Sequence, residues 1–134
     1  MPERFPVEVG LGVYNASHIE AAVIELDGSV GAGAPFVAST VEEIQTGQKF
    51  LRITVAVTVI FDGVPTLILG NSANDDLLVT LANAVNLAAL GVTVLLIPQA
   101  VDWDIDSVLV ASVGGAPTVG TAIILAENAL VPTV

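Results

Sequence analysis

The segment from Phe50 to Phe61 constrains the fold more than any other. Leu51, Ile53, Val55, Val57, Val59 and Phe61 alternate with Arg52, Thr54, Ala56, Thr58 and Ile60, a period of two rich in β-branched side chains. Successive side chains on a strand point to opposite faces, so this spacing predicts a strand with one buried face. Asp62-Gly63 then supplies turn residues, 64–69 resumes the apolar run, and Gly70-Asn71-Ser72-Ala73-Asn74-Asp75-Asp76 breaks it. The two runs are expected to form a hairpin. Pro65, which has no N–H to give a ladder, points to an edge or a bulge in the second.

Further strands are predicted at 19–26, 36–39, 77–81, 92–97, 108–113 and 121–126, divided by clusters of Gly, Pro, Asn and Asp. Strands this short and this regularly punctuated describe an all-β, antiparallel β-sandwich, and 134 residues suffice for a single domain. Residues 1–16 are set apart as an extended N-terminal arm, and 17–134 as the sandwich domain. Two alanine-rich stretches, 17–26 and 78–90, could instead form short helices. Residues 28–35 look like a flexible or extended connection, 40–48 like a polar surface loop, and the glycine-rich 114–120 like a turn between the last two strands. No internal repeat is apparent.

Composition then excludes whole classes of function. Counting glycine and omitting Tyr14, about 62% of the chain is apolar, against roughly 45–50% in ordinary soluble domains. Charged residues make up only 13%, so a lone copy has little polar side-chain area with which to cover itself, and burial against other subunits is expected. Fourteen acids against Arg4, Lys49 and Arg52 give a net charge of −11. Such a chain has no basic patch for phosphates, so nucleic acid is not an expected partner. The opening residues carry no basic stretch followed by an apolar segment, so export by a signal peptide is not expected. Residues 77–101 are uncharged, but Thr80, Asn83, Asn86, Thr93, Pro98 and Gln99 interrupt them and no Lys or Arg flanks them, so no membrane partner is expected either. The absence of cysteine removes disulfides, thiol nucleophiles and thiolate metal sites.

Few residues offer chemistry. Asp102, Asp104 and Asp106 could share one face of an extended segment and attract calcium. An EF-hand loop starting there would need glycine at its sixth position and a bidentate acid at its twelfth, and Ser107 and Val113 stand in those places. The favoured arrangement turns the three acids to water and Trp103 and Ile105 inward. The loop from Asn71 to Asp76 could hold a hard cation, although a polar turn that caps its own backbone explains it better. His18, near Glu20 and Glu25, lacks partners that would define a base or a ligand. There is no nucleophile elbow, no H-E-x-x-H and no phosphate loop. With one histidine and three basic residues, neither catalysis nor a cofactor is expected.

One pattern is familiar. The run from Ile53 through Phe61-Asp62-Gly63-Val64-Pro65-Thr66-Leu67 to Gly70 resembles a module of small virion proteins of tailed bacteriophages, in which an alternating strand ends in Phe-Asp-Gly and is followed by a Pro-Thr-Leu strand, a glycine and an Asn/Asp loop. Asp76-Leu77-Leu78, Asn86-Leu87, Gly91 and Ala116-Pro117-Thr118-Val119-Gly120-Thr121-Ala122 are similar as well, and the resemblance spans residues 44–127. It implies a jelly-roll-like sandwich that decorates or cements the outside of a capsid, commonly as a homotrimer bound to the major capsid protein, or that serves in fibre or tail parts. It also implies assembly into virions in the host cytoplasm, with no catalytic residues.

The arm adds a physical element to this picture. Phe5, Val7, Val9, Leu11 and Val13, with Tyr14, supply an apolar stripe that could add a strand to a neighbour's sheet edge, or fold back on its own sheet. Other readings remain open: a tail, baseplate or head-fibre part, a calcium- or carbohydrate-binding module using Asp102, Asp104 and Asp106, or a hydrolase working with carboxylates alone.

Overall fold

The computed structural model describes residues 19–83 and 85–130, the backbone alone for 97–101 and 130. The arm at 1–16 with Phe5, Val7, Val9, Leu11, Val13 and Tyr14, and also His18, lie outside the described residues.

Alternation becomes strand wherever it is sustained. The strands are β1 (Ile19–Asp27), β2 (Phe36–Ser39), β3 (Gln48–Val59), β4 (Thr66–Gly70), β5 (Gly91–Asp102), β6 (Val110–Gly114) and β7 (Thr121–Leu130). They form two antiparallel sheets, ordered β1-β7-β3-β5 and β2-β6-β4. The fold is therefore an all-β sandwich. Ile24, Leu26, Ile53, Val55, Val57 and Ile124 of the larger sheet share one buried core with Leu67, Leu69, Ala111 and Val113 of the smaller. Each fully buried aliphatic side chain of this kind contributes about 1.5–3 kcal/mol before entropy is charged against it. Trp103 and Phe50 meet at one end of the core, ring centroids 5.0 Å apart and planes tilted by 51°, a geometry aromatic quadrupoles favour.

The expected hairpin between β3 and β4 does not form. Every pair of consecutive strands lies in opposite sheets, so the chain crosses the sandwich at each connection, as in a jelly roll. Both sides of β3 are occupied, by β7 and β5, which leaves β4 no position beside it. The turn chemistry agrees: a two-residue Asp-Gly hairpin needs positive φ at both central residues, and here Gly63 has φ +75° while Asp62 does not have a positive φ. The edge role inferred from Pro65 does hold, because β4 ends the order of the smaller sheet.

Other expectations need correction. The strand expected at 77–81 shrinks to a single antiparallel bridge between Val79 and Leu69, with Val79 fully buried, so seven strands form among the described residues rather than eight. A turn of 3-10 helix follows at Leu81–Asn83, begun by Asn83 Oδ1 accepting from the Thr80 N–H at 2.6 Å. It is the only helix among the described residues of either alanine-rich stretch, and no helix among the described residues is long and apolar enough to cross a membrane. Residues 28–35 are not extended but a series of turns, tied down by Gly28 N–H to Gly120 C=O at 2.8 Å and Gly33 N–H to Pro117 C=O at 3.2 Å. Register shifts in β3 between Phe50 and Arg52 and between Val57 and Val59 break the expected stripe at both ends. Leu51 is only half-buried and Val59 is 49% exposed. An extra residue at a bulge turns the side chains beyond it to the other face.

Candidate functional site

The three candidate acids are adjacent in sequence but serve different partners. Asp102 closes β5 and pairs with Lys49, its cross-strand neighbour on β3. Asp104 accepts from Asn71 Nδ2 at 3.0 Å. Asp106 accepts from the Thr46 N–H at 2.7 Å and the Thr46 hydroxyl at 2.8 Å, and these bonds, the backbone one first, hold its carboxyl below the usual range. No group of three such side chains among the described residues converges as metal ligands would. Between the acids Trp103 is fully buried and Ile105 half-buried. The bond from Asn71 to Asp104 joins two polar clusters that the sequence presents separately. Asn71 itself is buried, and its Oδ1 accepts from the N–H groups of Ala73 at 2.9 Å and Asn74 at 2.7 Å. It caps its own loop.

A cleft of about 420 Å³ lies between β1 and the 40–48 loop, with Glu20, Glu42 and Glu43 on its walls beside Gln48 and Asn128. Its described lining includes no histidine, lysine or arginine, so no side-chain pair there matches a nucleophile with a base.

The motif residues meet at one end of the sandwich. Asp62, just after β3, accepts from the Thr118 N–H and hydroxyl, each at 2.6 Å, and from the Val119 N–H at 3.1 Å. The Phe-Asp-Gly run and the Ala-Pro-Thr-Val-Gly run are thus two halves of one clasp. Gly120 completes it: a Cβ there would lie 2.4 Å from Cγ of the buried Phe61, and its φ is +131°. Donation by the Thr118 hydroxyl, then by the two backbone N–H groups, pulls the Asp62 carboxyl down to about 2. A carboxyl depressed in the folded state adds stability above its unfolded pKa, near 4, and the contribution disappears as pH falls through 2. Urea midpoints should therefore drop between pH 4 and pH 2. Asp62→Asn should lower the midpoint at pH 7 and flatten that drop, leaving the part due to Asp27, Asp106 and Glu127, whose carboxyls are also held low. An unchanged pH profile in the variant would remove Asp62 from this role.

The most unusual surface is the outer face of the larger sheet. Register places Val23, Leu125, Thr54 and Val94 in one row across the four strands, with Glu25, Ile123, Ala56 and Val92 on one side of it and Ala21, Glu127, Arg52 and Leu96 on the other. Val92 and Leu96 are 65% and 71% exposed, and Val23, Val94, Ile123 and Leu125 are exposed too. Single exposed apolar residues are ordinary, whereas a contiguous set marks a contact surface. Most of the charge on this face is cancelled within the chain: Arg52 pairs with Glu127 and holds that carboxyl below its usual range, and Lys49 pairs with Asp102, which leaves Glu25 at the edge on β1. The sequence carries a signal of this face. Residues 92, 94, 95 and 96 and residues 123, 124 and 125 are apolar at both parities, whereas a strand with one wetted face alternates.

Comparison with solved structures finds the same fold in a virus particle. The chain is similar to a chain of the capsid asymmetric unit of cyanophage Pam1. The two align over 91% of this chain and 91% of that one, with a TM-score of 0.66 and 10% sequence identity. At that identity the likeness is one of fold. No family model matches the chain, and no curated protein matches it.

Proposed function

We propose that this chain is a structural virion protein of a tailed bacteriophage that decorates or cements the outer surface of the capsid, as a homotrimer in contact with the major capsid protein. The observation that carries the reading is the fold likeness to a capsid chain over nine-tenths of both chains. The apolar sheet face supports it, since a protein that works between subunits needs area to bury there. The clasp supports it as well, because the two motifs that resemble those of small virion proteins meet there and hold one end of the sandwich. In this reading the chain is not an enzyme and needs no cofactor, nucleic acid or membrane. Residues 1–16 reach a neighbouring subunit through Phe5, Val7, Val9, Leu11, Val13 and Tyr14.

The test is binding to expanded capsids stripped of accessory proteins. The purified chain should co-sediment with them at saturable stoichiometry and raise the temperature at which they burst, and removing residues 1–16 should weaken both effects. Failure to bind, with the chain recovered instead in purified tail fractions, would replace this reading by that of a tail, baseplate or fibre part.

A further inference from the structure

We propose that the outer face of the four-stranded sheet is the surface on which copies of this chain dock to one another. The inference rests on the reading above for the presence of many copies, and it assigns the sheet face to one occupant where that reading assigns none.

Size is the first argument. Four strands about 4.8 Å apart, over the six steps of about 3.4 Å from Ile19 to Glu25, give roughly 400 Å² in projection. The apolar patch is the part of that area left between the ion pairs, and contiguous apolar exposure of this kind marks a contact site. A standard interface takes about 800 Å² of accessible surface from each partner. Side chains standing off a sheet offer more accessible area than their projection, so this face with its rim approaches that scale.

Charge decides the occupant. At net −11, two copies repel one another over most of their surfaces. On this face the repulsion is weakest: Arg52 is matched by Glu127, Lys49 by Asp102, and Glu25 stands at the margin. A partner of opposite charge would be drawn instead to unmatched carboxylates such as Glu42 and Glu43 on the 40–48 loop or Asp75 and Asp76 after β4. A face that is largely apolar and whose charges, Glu25 apart, are matched in pairs, in a chain otherwise so acidic, fits a partner bearing the same charge as itself. That partner is another copy.

The test uses purified full-length chain without capsids, so its outcome is independent of capsid binding. Light scattering should give a multimer for the wild type and for Val37→Glu and Val41→Glu, whose positions lie off this face. It should give a monomer for Val94→Glu and Leu125→Glu, with circular dichroism unchanged. A monomeric wild type would overturn the proposal, including the case in which residues 1–18 of the same copy cover the face. So would a multimer that survives both glutamates, even if those variants no longer bind capsids, since the shell would then be the occupant. Should the glutamate variants not fold, thiol labelling decides, because the chain has no cysteine of its own. In the multimer Val94→Cys should react with maleimide at least tenfold more slowly than Val41→Cys, and equal rates would overturn the proposal.

Discussion

Gly120→Ala should remove a large part of this protein's stability. The added methyl would have to occupy space 2.4 to 2.7 Å from three ring atoms of Phe61, and that ring is buried in the core, so it cannot swing into water. Overpacking of this kind costs about 1–3 kcal/mol. Placing a Cβ on backbone with φ +131° adds about 1–2 kcal/mol more. The two together, about 2–5 kcal/mol, compare with a total stability of about 5–15 kcal/mol for a typical domain. Urea denaturation followed by circular dichroism measures the loss. A companion variant tests its origin: Phe61→Leu should partly rescue Gly120→Ala, because a smaller side chain gives the methyl room. If Gly120→Ala alone left the urea midpoint unmoved, the clasp would not hold the sandwich end as described.

The second large effect is expected at Trp103. This side chain is fully buried and packs its ring on Phe50, so Trp103→Ala should cost about 3–5 kcal/mol. Trp103→Phe should cost clearly less, since it keeps an aromatic body and its Nε1 finds no acceptor among the described residues whose loss would matter. As the only tryptophan in the chain, Trp103 also reports on its own surroundings. Native emission should be blue-shifted and should move to the red in one step with urea. Native emission at the wavelength of free indole would place the ring in water and contradict the packing.

Much of the fold was legible in local pattern, and what was missed depended on distant partners. Strand β2 lies where its residues were expected and β1 within one residue, because apolar runs between turn clusters say where a strand can start and stop. The layering of β3 and β4 was not legible. Phe61-Asp62-Gly63 carries good hairpin chemistry, and only the demands of β5 and β7 on the sides of β3 send β4 to the opposite sheet. Strands β5 and β7 run past their expected ends, to Asp102 and Leu130, because pairing with β3 resumes at Val101 and Asp102 beyond Gln99 and passes through Glu127, so polar residues that apolar counting rejects lie inside both strands. The candidate acids failed to assemble for a similar reason: a shared face on an ideal strand requires Asp102, Asp104 and Asp106 to stay in one strand, and β5 ends at Asp102.

The apolar surface was legible as a quantity and not as a place. The excess of apolar residues calls for burial against other subunits, and the arm is the one stretch whose local pattern offers a place for it. Pairing register shows a second location, since only the side-by-side order of β1, β7, β3 and β5 brings Val23, Leu125 and Val94 into one row. Asp62 shows the same limit. Both halves of its clasp stand out in the sequence, yet Thr118 is 56 residues away, and nothing local says that the two meet.

The most direct measurement is an electron-microscopy reconstruction of expanded capsids incubated with the purified chain. Added density on the outer shell, of a size that accommodates clustered copies of a two-layered β-domain with their four-stranded sheets turned toward one another, is the expected result. A shell indistinguishable from the untreated one, at concentrations where the chain is intact and folded, would contradict the account.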